Sequence, residues 1–99
     1  MDGSQILKAA AFHSSFLMHT GVVSARADED LLGPTLQEAL AHSFYMVSQV
    51  PLFVEQVRTN KAERWTSFVQ GALWDRGLIK TRVLKEVMMP QGSTYDRSA

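Results

Sequence analysis

The chain contains no cysteine, only three prolines and no net charge at neutral pH. The lack of cysteine excludes disulfide bonds, thiolate metal sites and thiol catalysis, and it is compatible with a reducing cytosol. No apolar run approaches the roughly 18 residues of a membrane-spanning helix, and the chain does not begin with the basic residues and long apolar centre of a signal peptide. We therefore expect a soluble, cytoplasmic protein without a membrane partner.

The length of 99 residues predicts a single small domain. We assign residues 1–89 to one helical domain and residues 90–99 to a polar, disordered C-terminal tail. Ordering a chain costs on the order of 1.5 kcal/mol per residue, so most of the apolar side chains must be buried for this domain to be stable. The stability margin of a lone chain is therefore thin, which favours self-association as a homodimer.

Charge is distributed unevenly along the sequence. Residues 1–56 hold two basic and six acidic residues, a net charge of −4, whereas residues 57–89 hold seven basic and three acidic residues, a net charge of +4. The basic half could attract an anionic partner, or two subunits could pair head to tail. Alternatively, both halves are solvated surfaces whose charges offset one another within the fold.

Apolar residues recur with a helical period, and no segment alternates as a strand would, so the sequence predicts an all-α bundle of four to five helices. The predicted helices run from Ser4 to His19 or Thr20, from Pro34 or Thr35 to Val50, from Leu52 to about Arg58, from Asn60 to Gly77, and from Lys80 or Thr81 to Val87 or Met88. Pro51 is expected to end or kink the second helix because it lacks an N–H.

The stretch from Asn60 to Gly77 is predicted to be the central helix. Asn60 would be its N-cap, Glu63 would complete a capping box, and Gly77 would end it. Its predicted core-facing stripe consists of Trp65, Phe68, Val69, Ala72 and Leu73. Trp74 falls on the opposite side, among Ser67, Gln70 and Gly71. It is either buried under the last helix and the Leu78-Ile79 turn, or it belongs to a subunit or partner surface.

The connection between the first two helices is rich in acidic residues. Ser24 could cap a short helical turn that carries Asp28, Glu29 and Asp30, and we expect Val22 and Val23 to anchor this connection to the core. The alternating ligands, central glycine and late glutamate of a calcium loop are absent, so a solvated acidic turn is predicted.

No recognisable catalytic or metal-binding pattern is present. His13 lies within the apolar stripe of the first helix, where it could be a ligand or a base, although a hydrogen-bonded core histidine is the usual case. His13 and His19 are six residues apart and do not share a helix face as zinc ligands would. We expect a protein that is not an enzyme and has no catalytic residue, metal site or cofactor.

Two sets of residues are candidates for binding. Possible interface residues are Trp74, Gly71, Tyr45 and His42, and possible contacts to an anion or partner are Arg76, Lys80, Arg82 and Lys85. The last two helices also have the outline of a helix-turn-helix, but the final helix offers few of the polar side chains that read bases. Nucleic acid is thus an alternative partner rather than the expected one.

The C-terminal half resembles a family of small, uncharacterised helical proteins encoded by tailed phages and prophages. The resemblance lies in Arg64-Trp65, Phe68-Val69-Gln70-Gly71, Leu73-Trp74, Gly77, Leu84-Lys85 and Met89-Pro90, in that order and spacing. It implies a helical fold and a host cytoplasmic setting, and this family has no established activity, cofactor or catalytic residue. Lys80 stands where the family pattern has a serine-like cap.

These observations favour a non-enzymatic accessory protein of a phage or other mobile element that acts by binding a host or defence protein, as a homodimer. The alternatives are a nucleic-acid-binding regulator that uses the basic half, and a sponge for a small anionic ligand held by Arg76, Lys80 and Arg82.

Overall fold

The computed structural model describes residues 2–88, which form four α-helices and no strand. The helices are α1 (Gly3–His19), α2 (Leu36–Glu55), α3 (Thr59–Asp75) and α4 (Thr81–Met88). The prediction of an all-α bundle is confirmed. The segment predicted as a separate short helix after Pro51 is instead the last part of α2, and the predicted tail at residues 90–99 lies outside the described residues.

Helix α1 begins earlier than its sequence suggests. Asp2, not Ser4, is the N-cap: its Oδ1 accepts the N–H of Gln5 at 2.9 Å, and Gln5 Oε1 accepts the N–H of Asp2 at 2.8 Å. This reciprocal pair satisfies two donors that the first turn would otherwise leave free. The helix ends as predicted at Gly21, whose φ of 78° is in the left-handed region.

The connection from Thr20 to Thr35 lies against α2 without forming a helix of its own. The N–H of Ala25 donates to the carbonyl of Ala41 at 3.1 Å, and that of Ala27 donates to His42 Nδ1 at 3.0 Å. Val22 is buried but Val23 is exposed, so only one of the two predicted anchors reaches the core. Residues 22–28 form no helix, and the turn predicted after Ser24 is limited to residues 28–31, where the N–H of Leu31 donates to the carbonyl of Asp28 at 3.1 Å.

Helix α2 has Thr35 as its N-cap, the second of the two predicted possibilities. Thr35 Oγ1 accepts the N–H of Glu38 at 3.1 Å, and Glu38 Oε1 accepts the N–H of Thr35 at 2.9 Å. These bonds lower the pKa of the Glu38 carboxyl, since they favour its charged form. Pro51 lies inside α2 rather than at its end.

The chain turns sharply between α2 and α3 at Val57, whose φ is 60°. The carbonyl of Phe53 accepts the N–H of Arg58 at 2.7 Å, which closes the end of α2 and leads the chain straight into α3. Val57 is 85% exposed. The left-handed backbone turns it into solvent.

Replacing Val57 with glycine is expected to stabilise the protein by roughly 1 kcal/mol. A left-handed conformation costs a residue with a Cβ about 1–2 kcal/mol, and glycine removes this strain at the expense of up to about 1 kcal/mol of extra freedom in the unfolded chain. Urea denaturation of the wild type and Val57→Gly would measure the difference. Val57→Ala, which keeps a Cβ, is the control and should gain less. A loss of stability in Val57→Gly would contradict this account of the turn.

Helix α3 starts without the predicted cap. Arg58 occupies the N-cap position and makes no side-chain cap bond, so Asn60 lies inside the first turn and the proposed Asn60–Glu63 capping box is wrong. The backbone hydrogen bond from the N–H of Arg58 to the carbonyl of Phe53, rather than a side-chain cap, sets the start of α3. The end of α3 is as predicted: Gly77 has φ 73°, and the N–H of Leu78 donates to the carbonyl of Leu73 at 2.9 Å.

Helices α1, α2 and α3 each contact the other two, and α4 packs against α1. The apolar core comprises Ile6, Ala10, Leu17, Val22, Leu40, Met46, Val47, Val50, Phe53, Ala62, Val69, Leu73 and Ile79. The stripe of α3 is rotated from its predicted position. Phe68 is exposed, whereas Thr66 and Gln70 are buried. This rotation decides which residues α3 presents to solvent.

Candidate interaction surface

Seven exposed residues occupy one side of α3, within about 60° of Gly71 at the 100° per residue of an α-helix. We call this surface the outer α3 face, and it comprises Asn60, Arg64, Ser67, Phe68, Gly71, Trp74 and Asp75. The opposite side of the helix carries the buried residues that pack on α1 and α2. The outer α3 face is therefore a direct consequence of how α3 is seated in the bundle.

Two aromatic rings project from this face. Phe68 is 56% exposed and Trp74 is 53% exposed. Trp74 Nε1 donates to Thr81 Oγ1 at 2.9 Å, which ties one edge of the indole to the first residue of α4. The ring is thus held in place by α4 without being covered by it, and most of two large apolar side chains meets solvent on a single helix side.

Gly71 lies between these two rings, in the middle of α3. A Cβ at this position would meet no atom within 4 Å, and the backbone is not left-handed. Glycine in a helix interior is less favourable than alanine by about 0.8–1.0 kcal/mol. Nothing in the part of the chain that the structure describes therefore requires glycine here.

The N-terminal half of the outer α3 face borders an open depression of about 680 Å³. It is lined by Asn60, Glu63, Arg64, Ser67 and Phe68. Its walls combine one aromatic ring with charged and amide side chains, a mixture typical of protein contact surfaces. The depression and the exposed rings lie on the same side of α3, and we take this side as the candidate site.

The other predicted interface residues, Tyr45 and His42, lie elsewhere. Their rings stack with centroids 6.1 Å apart, and the Tyr45 ring is 6.4 Å from that of Trp65. Trp65 and Trp74 are nine residues apart and so project from opposite sides of α3. The four predicted interface residues thus form two separate groups.

His42 has a local structural role. Its Nδ1 accepts the N–H of Ala27, which pins the first connection to α2. Burial lowers the pKa of the imidazole, and the positive charge of Arg26 lowers it further. The neutral ring with its proton on Nε2 is the form that accepts this bond.

The predicted basic contacts do not share one environment. Arg76 Nη2 donates to the carbonyl of Pro34 at 3.0 Å and so ties the end of α3 to the start of α2. Lys80 and Arg82 are exposed at the start of α4, and Lys85 is half-buried farther along it. Binding of a nucleic acid or a small anion by these residues stays a prediction.

A cation–aromatic cluster at the start of α3 was not predicted from the sequence. Lys61 Nζ lies 4.6 Å from the ring centroid of Phe53 and 5.1 Å from that of Trp65. Arg58 Cζ lies 5.3 Å from the centroid of the Phe53 ring. The four-residue spacing of Lys61 and Trp65 is the signal that would have suggested this contact. Because both cations cover rings of the α2–α3 contact, we assign the cluster to stability.

Three buried side-chain nitrogens of the described residues lack a hydrogen-bond partner. His13 is completely buried and neither ring nitrogen has a partner, while Gln70 is 3% exposed and its Nε2 has none. Burial lowers the pKa of His13 to about 4, because the charged ring would lose its hydration. The expectation of a buried histidine is confirmed, but the expectation that it is hydrogen-bonded is wrong.

In residues 2–88, no group of three or more histidine, aspartate or glutamate side chains is placed to hold a metal ion. No helix in the described part of the chain has the length and apolarity needed to cross a lipid bilayer. Comparisons with protein-family models, with curated proteins and with solved structures found no match to this chain. The candidate site therefore has to be interpreted from its own geometry.

Proposed function

We propose that this protein is a non-catalytic binding protein whose contact surface is the outer α3 face. The observation that carries the proposal is the pair of exposed rings, Phe68 and Trp74, on either side of a glycine that the fold does not require. Exposed aromatic side chains are enriched at the centres of protein interfaces, where their burial supplies much of the binding free energy. A glycine between them lets the backbone of a partner approach closely.

The chemistry of the face favours a protein partner over a nucleic acid. It carries one cation, Arg64, and one carboxylate, Asp75, so it offers no excess of positive charge to a phosphate backbone. Arg76 is already engaged with the Pro34 carbonyl next to this face. An apolar centre with one charge of each sign resembles the core and rim of a protein–protein interface.

The resemblance of the α3 pattern to phage-encoded helical proteins supports a setting for this activity. We propose an accessory protein of a phage or other mobile element that works in the host cytoplasm on a host or defence protein. The absence of catalytic motifs in the sequence supports binding, rather than chemistry, as its mode of action.

Photo-crosslinking from single positions tests the contact surface. We expect p-benzoylphenylalanine at position 68 or 74 to form a discrete protein adduct when the full chain is irradiated in the cells that express it. The matched controls are positions 36 and 52, where the exposed side chains of Leu36 and Leu52 lie on α2. Equal labelling from all four positions, or no adduct from positions 68 and 74, would contradict the proposal.

A further inference from the structure

The outer α3 face is complementary to itself about Gly71. Phe68 and Trp74 lie three residues on either side of this glycine, and Ser67 and Asp75 lie four residues on either side. We infer that this face binds a second copy of the same chain, with the two α3 helices antiparallel and a two-fold axis passing beside Gly71. The inference rests on the proposed function that this face is a contact surface, and it assigns the face to a second copy rather than to a host or defence protein.

The two-fold arrangement places aromatic rings on both sides of the contact between the two Gly71 residues. Phe68 and Trp74 lie about 60° to opposite sides of Gly71, and the two-fold operation keeps each ring on its own flank of the helix pair. Phe68 therefore lies on the same flank as the partner's Phe68, and Trp74 lies on the other flank with the partner's Trp74. Four rings, now half exposed, would thus leave water together.

The charged residues of the face also match in this arrangement. Arg64 lies about 10.5 Å from the level of Gly71, and Asp75 lies about 6 Å from it in the other direction along the helix. The antiparallel partner therefore brings the partner's Asp75 to within about 4.5 Å of the level of Arg64, on the same flank of the helix pair. An arginine side chain spans this offset, so the dimer contains two opposite-charge pairs that are related by symmetry.

The inference accounts for glycine at position 71. At the crossing point of two helices, a missing side chain allows the axes to approach to the short end of the usual range of about 8–10 Å. The flanking rings can then pack over the partner's backbone. The glycine that weakens α3 in the isolated chain would strengthen the contact between two chains.

A single pair of helices buries less area than the roughly 1,200–2,000 Å² of a standard stable interface. We therefore expect a dissociation constant on the order of 10 μM rather than nanomolar affinity, as for interfaces at the small end of that scale. The full chain should sediment as a monomer of 11.1 kDa at low concentration and shift towards twice that mass as its concentration rises.

Gly71→Ala is the decisive variant in sedimentation velocity runs from about 1 to 500 μM. The new methyl group meets nothing in the monomer, and alanine favours the helix, so the melting temperature measured at low concentration should rise by about 4–8 °C. The same methyl group lies at the crossing point, so dimerisation should weaken at least tenfold. A variant that fails to fold cannot produce this combination of results.

Charge exchange supplies the second test. Asp75→Arg should weaken dimerisation, and the double variant Arg64→Asp with Asp75→Arg should restore it, because the exchanged charges meet again across the axis. Leu36→Ala, on α2, is the matched control and should dimerise as the wild type does. A wild type that stays monomeric at 500 μM, or a Gly71→Ala variant that dimerises as well as the wild type, would overturn the inference.

The proposed function and the inference of a homodimer can fail separately. If positions 68 and 74 crosslink in cells to a protein of another mass while the purified chain stays monomeric, the outer α3 face is a binding surface but its occupant is not a second copy. If neither position forms an adduct and the purified chain stays monomeric, both the proposed function and this inference are wrong.

Discussion

Replacing His13 with leucine is expected to stabilise the protein by about 1–3 kcal/mol at pH 7. The ring of His13 is completely buried and neither nitrogen has a hydrogen-bond partner. A buried polar group left without a partner costs about 1–3 kcal/mol, and an apolar side chain of similar volume carries no such cost. Leucine also suits the helix, so α1 should be retained.

The same substitution should remove an acid-dependent loss of stability. The pKa of His13 is lowered from 6.5 to about 4 in the folded protein, so between these values the unfolded chain binds a proton that the folded chain does not. Stability is therefore fully present above pH 6.5 and falls as the pH drops towards 4. A shift of this size corresponds to about 3 kcal/mol across the window.

Urea denaturation at pH 7, 5.5 and 4.5 would measure both effects. Between pH 7 and 4.5 the wild type should lose more free energy of unfolding than His13→Leu. His42 also has a lowered pKa and contributes with the same sign to the loss that remains in the variant. Glu38 contributes only as the pH falls below its ordinary value of 4.5, the lowest pH of this series.

His19→Gln is the matched control at pH 7, because the His19 ring lies at the surface of the same helix. It should leave the stability at that pH within about 0.5 kcal/mol of the wild type. If His13→Leu loses stability at pH 7, then the ring nitrogens are hydrogen-bonded in solution, for example to a buried water, and the present account of the core is wrong.

Local signals in the sequence were sufficient where neighbouring residues decide the structure. Thr35 and Glu38 form a capping box that depends only on their spacing, and Gly21 and Gly77 end helices because glycine adopts a left-handed backbone readily. Asn60 and Glu63 have the same spacing as Thr35 and Glu38 but form no box, since the bond from Arg58 to the Phe53 carbonyl sets the start of α3. A tertiary contact overrode the local preference.

The orientation of α3 depended on packing that periodicity does not capture. A stripe centred on apolar residues placed Phe68 inside and Gln70 outside, whereas the bundle buries Gln70 and exposes Phe68. Thr66 is tolerated in the core because its hydroxyl donates to the carbonyl of Ala62 at 2.8 Å. Polar residues can occupy core positions when the helix itself satisfies them, and hydrophobicity alone then misplaces the stripe.

The same limit applies to the candidate site. The sequence placed Gly71 and Trp74 on one side of α3 but could not decide whether α4 covers the tryptophan, because that depends on the path of the chain after Gly77. It did not identify Phe68 as part of the surface, since the misplaced stripe had assigned that ring to the core. His42 and Tyr45 were grouped with Trp74 as possible interface residues, but the Tyr45 ring lies near Trp65, which projects from the opposite side of α3 to Trp74.

Trp65→Ala is expected to destabilise the protein by about 3 kcal/mol, at the lower end of the range for removal of a packed aromatic ring because Trp65 is partly buried. The Trp65 ring packs edge to face against the Phe53 ring, with centroids 4.8 Å apart. Lys61 Nζ lies over the Trp65 ring, 5.1 Å from its centroid. Edge-to-face pairs and cation–π contacts each contribute about 0.5–1.5 kcal/mol beyond burial. Their loss adds to the cavity that alanine leaves between α2 and α3.

Phe68→Ala is the matched control, since the sequence assigns both rings to one core stripe and the structure separates them. Phe68 is 56% exposed, so its removal should change the free energy of unfolding by no more than about 0.5 kcal/mol when the protein is dilute enough to be monomeric. Urea denaturation at about 1 μM gives both values, at a concentration below the dissociation constant expected for a small interface. Equal destabilisation by the two substitutions would mean that α3 is seated as the sequence pattern suggested, and the outer α3 face would then not exist as described.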